Sequence, residues 1–291
     1  GWSPDSVFLI PGRLPENVTL AVASDAPSRL EPAADLALAP KALAALLRDA
    51  GNQTHAIAGD DQLWCGHRVI MIDGSNVSMP DEPELQQAFP QPVGQKKGCG
   101  FPIGYLTVMF DWASGVVIDH RIDVQGELTM FRAMLDQFKP GDVALADRYY
   151  CSFVDIAQLQ RHDAHVVMRL HQRRSSDFRQ GAPLGQDDRL VTWTRPPKYL
   201  PSFGISQEQF QQLPERLTLR MVRSAKPIKG FRSQEIIIIT TLLDPKEVSS
   251  DQLLALYRDR WMVELNLRSL KTTLNMQVLR SKSVAMVRKE L

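Results

Sequence analysis

The chain has 291 residues, 44% hydrophobic and 23% charged, enough for a sizeable core beneath a polar surface. Disorder, collagen and low complexity are excluded, and no apolar run approaches the ~18 residues a membrane span needs. Cys65, Cys99 and Cys151 are widely spaced without a C-x-x-C, so neither a disulfide framework nor a zinc site is expected. Without a signal-like opening segment the expected compartment is the cytoplasm. The net charge of +1 hides an asymmetry: residues 1–66 hold eight acids against four bases, so the remainder is basic. Positive patches stand out at RLHQRR (169–174) and in the acid-free stretch 216–232, with Arg216, Arg220, Arg223, Lys226, Lys229 and Arg232. Protected strand edges explain such patches as readily as nucleic-acid contact does.

In chain order, residues 1–40 are broken by proline and predict irregular structure, and KALAALLRDA (41–50) predicts a short helix ended by Gly51. RVIMID (68–73), IGYLTVMF (103–110) and VVIDHR (116–121) predict strands, the last two forming a hairpin. GELTMFRAMLDQF (126–138) has helical spacing, DVALAD (142–147) reads as a strand, 151–161 as a helix and HVVMRLH (165–171) as a strand. Residues 172–245 break this rhythm, with β-like pieces at 189–194, 217–223 and 234–243 and a short helix at 206–213. A long Ser- or Asp-capped helix is expected over 249–274. The expected organisation is an irregular segment over 1–65, a mixed α/β unit formed by 66–171 and 246–291, and a mostly β insertion over 172–245.

Asp73 and Asp147 each end an apolar strand, VIMID and VALAD. Adjacent strands would bring both carboxylates out at the strand ends where open α/β sheets place their ligands. Two close carboxylates repel and call for a cation or a shared proton, and a hard divalent ion with oxygen ligands answers that need. Taken singly, each Asp reads equally as a turn cap. On the long helix, Tyr257, Arg260, Glu264 and Lys271 share an arc of about 60° at about 100° per residue. Beside them runs a core stripe of Leu256, Val263, Leu267, Leu270 and Leu274, while Arg258, Asp259, Asn266, Ser269 and Thr273 lie on the far side. An i, i+4 salt bridge accounts for Arg260 and Glu264 but not for Tyr257 and Lys271 lining up with them.

The spacing Tyr257-x2-Arg260-x3-Glu264-x6-Lys271 resembles the Tyr-Arg-Glu-Lys signature of bacterial insertion-sequence transposases with a DDE active site. The resemblance extends to VIMIDGSNVSMPDEPELQQAFPQP (69–92), QKKGCGFPIGYL (95–106), GELTMFRAML (126–135), GDVALADRYYCS (141–152) and RLHQRRSSDFRQG (169–181), and covers roughly 66–291. It implies an RNase H-like mixed sheet flanked by helices, interrupted by a β-rich insertion between the second and third acids. It also implies catalytic and metal-binding roles for Asp73, Asp147 and Glu264, with Mg2+ or Mn2+, two ions, as cofactor.

Tyr257, Arg260, Lys271 and Arg148 match residues that contact DNA, and Arg220 and Arg223 are added from the basic stretch. The implied partner is double-stranded DNA at terminal inverted repeats, bound by a homodimer in a synaptic complex. Trp193 and Phe231 are candidates for holding a flipped base, against the commoner reading of a strand aromatic as core. The proline-broken start and the stop at Leu291, inside an expected helix, point to a fragment or a degraded element. The alternatives are therefore an RNase H-like nuclease without strand transfer and a non-catalytic DNA-binding remnant.

Overall fold

A computed structural model describes residues 40–58, 62–91, 100–174, 176–224, 235–272 and 276–291. The expectations for residues 1–39, Lys226, Lys229, Arg232, Phe231 and Cys99 lie outside them. The strands are β1 (Val69–Ser78), β2 (Ile103–Asp111), β3 (Val117–Asp123), β4 (Val143–Ala146), β5 (His165–Arg169), β6 (Ala182–Gly185), β7 (Asp188–Thr194), β8 (Arg216–Arg223) and β9 (Ile237–Thr240). They form one nine-stranded sheet in the order β3-β2-β1-β4-β5-β9-β8-β7-β6. β1, β4 and β5 run parallel, and the remaining pairings are antiparallel.

The helices are α1 (Pro40–Ala58), α2 (Pro83–Ala88), α3 (Glu127–Arg132), α4 (Phe153–Arg161), α5 (Gln207–Gln211), α6 (Ser250–Asp259), α7 (Trp261–Thr272) and α8 (Val284–Glu290). A mixed sheet flanked by helices, with an antiparallel β1–β3 meander followed by parallel β4 and β5, is an RNase H-like arrangement. Among the described residues no helix is long and apolar enough to cross a membrane.

Strand alternation sorts the core into two layers. Ile70, Ile72, Ala144, Ala146, Val166 and Met168 pack on one face with Phe131 of α3 and with Phe153, Ile156 and Leu159 of α4. Val69, Met71, Val143, Leu145 and Val167 face the other layer, against Leu253, Leu256 and Tyr257 of α6 and Val263 and Leu267 of α7. Both faces are covered, so β4 carries four apolar residues in a row, VALA, all buried.

Several boundaries differ from the sequence expectation. α1 runs through Gly51 to Ala58 instead of stopping at the glycine. A Cβ at Gly51 would lie 2.9 Å from the Val117 carbonyl oxygen, so this glycine permits close approach of α1 to β3. β1 passes Asp73 and reaches Ser78, because β2 continues to pair with it after β4 has ended. The helix expected over 126–138 is α3 followed by a separate 3-10 turn over Leu135–Gln137. Residues 172–245 contain the expected β pieces but extend the central sheet: β9 pairs with β5 and hands the sheet on to β8.

The long C-terminal helix is divided at Arg260. Its N–H bonds to the Tyr257 carbonyl at 3.2 Å, and its carbonyl accepts from Val263 N–H at 3.0 Å, both three-residue steps. Such a turn advances about 120° per residue instead of about 100°, so three residues add about 60° of rotation. Asn266, expected on the solvent side, is thereby carried into the buried face, and Glu264 is turned outward.

Candidate active site

Asp73 and Asp147 are brought together by strand register. Met71 lies opposite Leu145 in the parallel β1–β4 pair, Asp73 and Asp147 each follow two residues later, and Asp73 feels the charge of Asp147. By alternation Asp73 shares the face of Val69 and Met71, and Asp147 that of Val143 and Leu145. That is the face covered by α6 and α7, and α7 packs against β1. The third acid, Glu264 on the first turn of α7, is held beside them by Arg260. The Arg260 guanidinium places Nη1 3.6 Å from Asp73 Oδ2 and Nη2 2.7 Å from Glu264 Oε1. Asp73 and Asp147 are thus electrostatic neighbours near the end of β4, and Glu264 is linked to Asp73 through Arg260.

Burial pushes the Asp73 carboxyl up to about 6, and the charges of Asp147 and Glu264 push the same way, opposed by the Gly74 N–H and by Arg260. The Gly74 N–H donates to Asp73 Oδ1 at 2.9 Å, and the Tyr149 N–H donates to Asp147 Oδ1 at 2.6 Å. Both Asp side chains accept from a backbone N–H just after them, whereas Glu264 keeps 59% of its side-chain surface exposed. Among the described residues no three His, Cys, Asp or Glu side chains converge closely enough to chelate one ion. The donor chemistry nonetheless fits a hard divalent cation: every available ligand is a carboxylate oxygen, and Asp73 feels the charges of Asp147 and Glu264. Arg260 supplies the positive charge between Asp73 and Glu264 in this geometry.

A basic rim adjoins the acids. Tyr257 is buried, its hydroxyl pushed up to about 12 by burial, and its side chain interacts with Arg260. Arg169, at the end of β5, is lowered by burial and by the nearby guanidinium groups of Arg148 and Arg260, and it feels the charge of Asp147. Arg169 therefore lies near Asp147, with the guanidinium groups of Arg148 from the β4–α4 turn and Arg260 from the α6–α7 junction close to Arg169. The sequence marked 169–174 as basic without singling out Arg169; its position at the end of a strand adjacent to β4 was the available signal. Arg148 Nη1 also donates to Gln172 Oε1 at 3.2 Å. Lys271 lies at the far end of α7, its ammonium lowered by partial burial.

Arg220 corrects the expectation. It is fully buried, with Nε 2.9 Å and Nη2 2.5 Å from the Asp188 carboxylate oxygens and Nη1 donating to the Val248 carbonyl at 2.6 Å. This is an architectural ion pair and cannot be a surface contact for DNA. Arg223 is half-exposed but engaged by Asp187 at 2.5 Å and Glu235 at 3.4 Å, and it lies over the Phe178 ring at 4.4 Å. The stretch is acid-free in sequence and not in space, because the β7–β8 hairpin pairing delivers Asp187 and Asp188 to it. Trp193 is half-buried under the Arg174 guanidinium, 3.6 Å from the ring centroid.

The acid residue that sequence reasoning missed is Glu127. It accepts a hydrogen bond from the buried Tyr150 hydroxyl, Tyr150 feels its charge, and Glu127 itself feels the charges of Asp73 and Asp147. Its position at the start of the GELTMFRAML block was visible, but nothing in the spacing tied it to Asp73.

Two comparisons bear on this constellation. Residues 64–291 match the family described as "Transposase DDE domain". The chain is also 22% identical over 232 residues to the transposase InsG for insertion sequence element IS4 of Escherichia coli strain K12. That alignment covers 78% of this chain and 50% of InsG, so the chain spans about half the length of the curated relative it matches. With the family match running through β1, β4 and α7, the chain belongs to the transposase DDE domain family.

Proposed function

We propose that the chain carries the catalytic domain of an insertion-sequence transposase, cutting DNA at transposon ends and joining the freed 3′-hydroxyl to a target. What supports this reading is the parallel register of β1 and β4, whose last pair, Met71 and Leu145, precedes Asp73 and Asp147 by two residues each, with Glu264 tied to Asp73 through Arg260. Asp73, Asp147 and Glu264 would hold the divalent ions, Mg2+ or Mn2+ and two in number. Bound there, such ions activate the attacking oxygen and stabilise the leaving one.

The protein's own part is positional. Asp73 and Asp147 are pre-set by their backbone hydrogen bonds, and Glu264 completes the set when Arg260 turns from it toward a DNA phosphate. Arg148, Arg169, Arg260 and Lys271 would hold phosphates, and Tyr257 would brace Arg260 from beneath. Residues 172–245 serve as the β-rich segment inserted between the second and third acids, with 66–171 and 246–291 as the catalytic unit. The partner is duplex DNA at terminal inverted repeats, joined in pairs by a homodimer.

The test uses a labelled duplex bearing the end sequence that flanks the coding region, with and without a pre-formed nick. Nicking of the intact end and joining of the pre-nicked end in Mn2+, both lost in Glu264→Gln, are expected. Hydrolysis without joining would replace the proposal with a nuclease. DNA binding without either reaction would replace it with a non-catalytic remnant.

A further inference from the structure

At the end of the sheet where β1, β4 and β5 begin, away from Asp73 and Asp147, two imidazoles meet edge to face. The rings of His67 and His165 have centroids 5.2 Å apart and planes at 77°. Different neighbours hold each ring. His67 closes a tight turn with Trp64, the two exchanging backbone hydrogen bonds of 2.9 Å, and its Nδ1–H donates to the Gly141 carbonyl at 2.7 Å, just ahead of β4. His165 is the first residue of β5. Its N–H donates to the Asp142 carbonyl at 2.7 Å, and its Nδ1 lies 3.3 Å from Thr241 Oγ1. Thr241 is where the chain leaves β9, and its hydroxyl oxygen also accepts the Val166 N–H at 3.0 Å. The ring contact therefore joins the entry of β4 to the linker, residues 241–249, that leads into the helices carrying Arg260 and Glu264.

Neutral rings pack well in this way, whereas two positive charges at that separation, both half-buried, repel. Charged groups on the surrounding elements give little relief. Arg68 ahead of β1 and Asp142 ahead of β4 are buried and bound to each other. Cys65, in the turn before His67, accepts from the Gln252 amide of α6, and burial pushes its thiol up, so it stays neutral. Asp163, on the turn before β5, is exposed and offers its backbone carbonyl to the Gly141 N–H. Glu247, on the linker, is exposed, and its charge favours a proton on His165. Burial and the neighbouring His67 hold His165 below the ordinary imidazole value against that pull.

We propose that His67 and His165 form an acid-sensitive clasp that fastens the linker into α6 to the entry of β4, closed while the rings are neutral and opened when protons enter the pair. Unfolded imidazoles take up protons near pH 6.5, and the folded pair resists them. The clasp therefore holds fully above that pH and is lost as pH falls below it. Asp73 moves overall stability the opposite way on acidification, so the opening has to be read locally.

The test is amide exchange of the whole chain at pH 7.5 and 5.5, corrected for intrinsic rates, with the Val166 N–H as reporter and the amides of the β1–β2 pairing as reference. In the parent, Val166 is expected to lose about tenfold more protection than the reference on acidification, the equivalent of one pKa unit. His165→Phe keeps a ring against His67 but removes the titrating group, and His67→Asn keeps a donor for Gly141. Each is expected to cut the loss to about threefold or less. Glu247→Gln withdraws the charge that favours protonation and should move the opening to lower pH. Ring NMR should place the His165 midpoint below the unfolded value in the parent and higher in His67→Asn.

A Val166 amide that keeps its relative protection at pH 5.5 in the parent overturns the clasp, and so does a loss of the same size in both variants. Should His165→Phe fail to fold, the His165 midpoint decides: moved upward by His67→Asn it supports the pair, and unmoved it overturns it.

Discussion

Arg220 and Arg260 both link the sheet to the C-terminal helices, yet the two regions they organise are built in opposite ways. Arg220, on β8, has its Nε and both terminal nitrogens engaged, by Asp188 and by the Val248 carbonyl just ahead of α6. Arg260 divides itself between Asp73 at 3.6 Å and Glu264 at 2.7 Å, and its buried Nε has no hydrogen-bond partner among the described residues. The first is a closed polar network in a fixed environment. The second is open, with one carboxylate mostly in water and one guanidinium free to exchange partners at little cost. Charge closed in on itself marks architecture here, and charge left divided marks the candidate site.

The largest effect expected from breaking this contrast is on activity. Glu264→Gln should reduce nicking of a labelled end by more than the roughly 100-fold upper range for loss of an outer partner, while gel-shift affinity for DNA holds. Activity equal to the parent would reduce Glu264 to half of an ordinary i, i+4 salt bridge.

Stability separates the two arginines next. Arg220→Ala leaves Asp188 charged and buried and should cost about 3 to 5 kcal/mol in denaturant unfolding, whereas a double replacement, Arg220→Met with Asp188→Leu, should recover most of the loss. Arg260→Ala, which removes a mostly buried guanidinium whose Glu264 partner is exposed, should cost less, about 1 to 3 kcal/mol. Equal losses at the two positions would erase the distinction.

Asp73 sharpens it with a sign. Its carboxyl is raised in the fold to about 6, so its favourable contribution is present below the unfolded value near 3.8 and is lost as pH rises through about 6. Above pH 7 in a chelator it opposes folding by at most about 3 kcal/mol, since one pKa unit is about 1.4 kcal/mol. Asp73→Asn should therefore stabilise the metal-free chain at pH 7.5 and leave it unchanged near pH 3.5. Unfolding curves at the two pH values decide this. The smallest effect is on DNA: Arg260→Ala should lower the slope of log affinity against log salt by about 0.9, the share of one phosphate. An unchanged slope would leave Arg260 to the carboxylates alone.

Most of the fold was legible because its signals are local. Apolar strands of period two, Ser249 with Gln252 as a capping box, and the Pro-Gly stop after residue 139 each announce themselves within a few residues. Asp73, Asp147 and Glu264 could be proposed for the same reason, each standing at a strand end or on a helix stripe visible within a short window. The errors came from contacts between distant segments. Arg220 lies 32 residues beyond the Asp188 that neutralises it, and no window of sequence reveals a buried pair across a hairpin. Gly51 reads as a helix stop until β3 is seen against it. The tightened turn at Arg260 rotated Asn266 inward, which a helical wheel at constant angle cannot anticipate. Glu127 fills a gap at Gly74, a feature created by the absence of a side chain.

The pairing of β9 with β5 bears on how such a protein can change over evolutionary time. Were residues 172–245 a bead on a loop, they could be trimmed or exchanged with little consequence beyond the loop itself. Here their removal would strip β5 of its outer neighbour and expose the backbone donors and acceptors of Val167–Arg169, now bonded to Ile238–Thr240, as a bare edge that invites other chains to pair. The same excision would remove the Arg220 anchor to the Val248 carbonyl and loosen the entry to α6. A shortened descendant would therefore have to retain β9 as an edge cover and find a new tether for α6. Viable truncations are accordingly confined to the outer part of this segment, the β6–β7 hairpin at the far rim of the sheet.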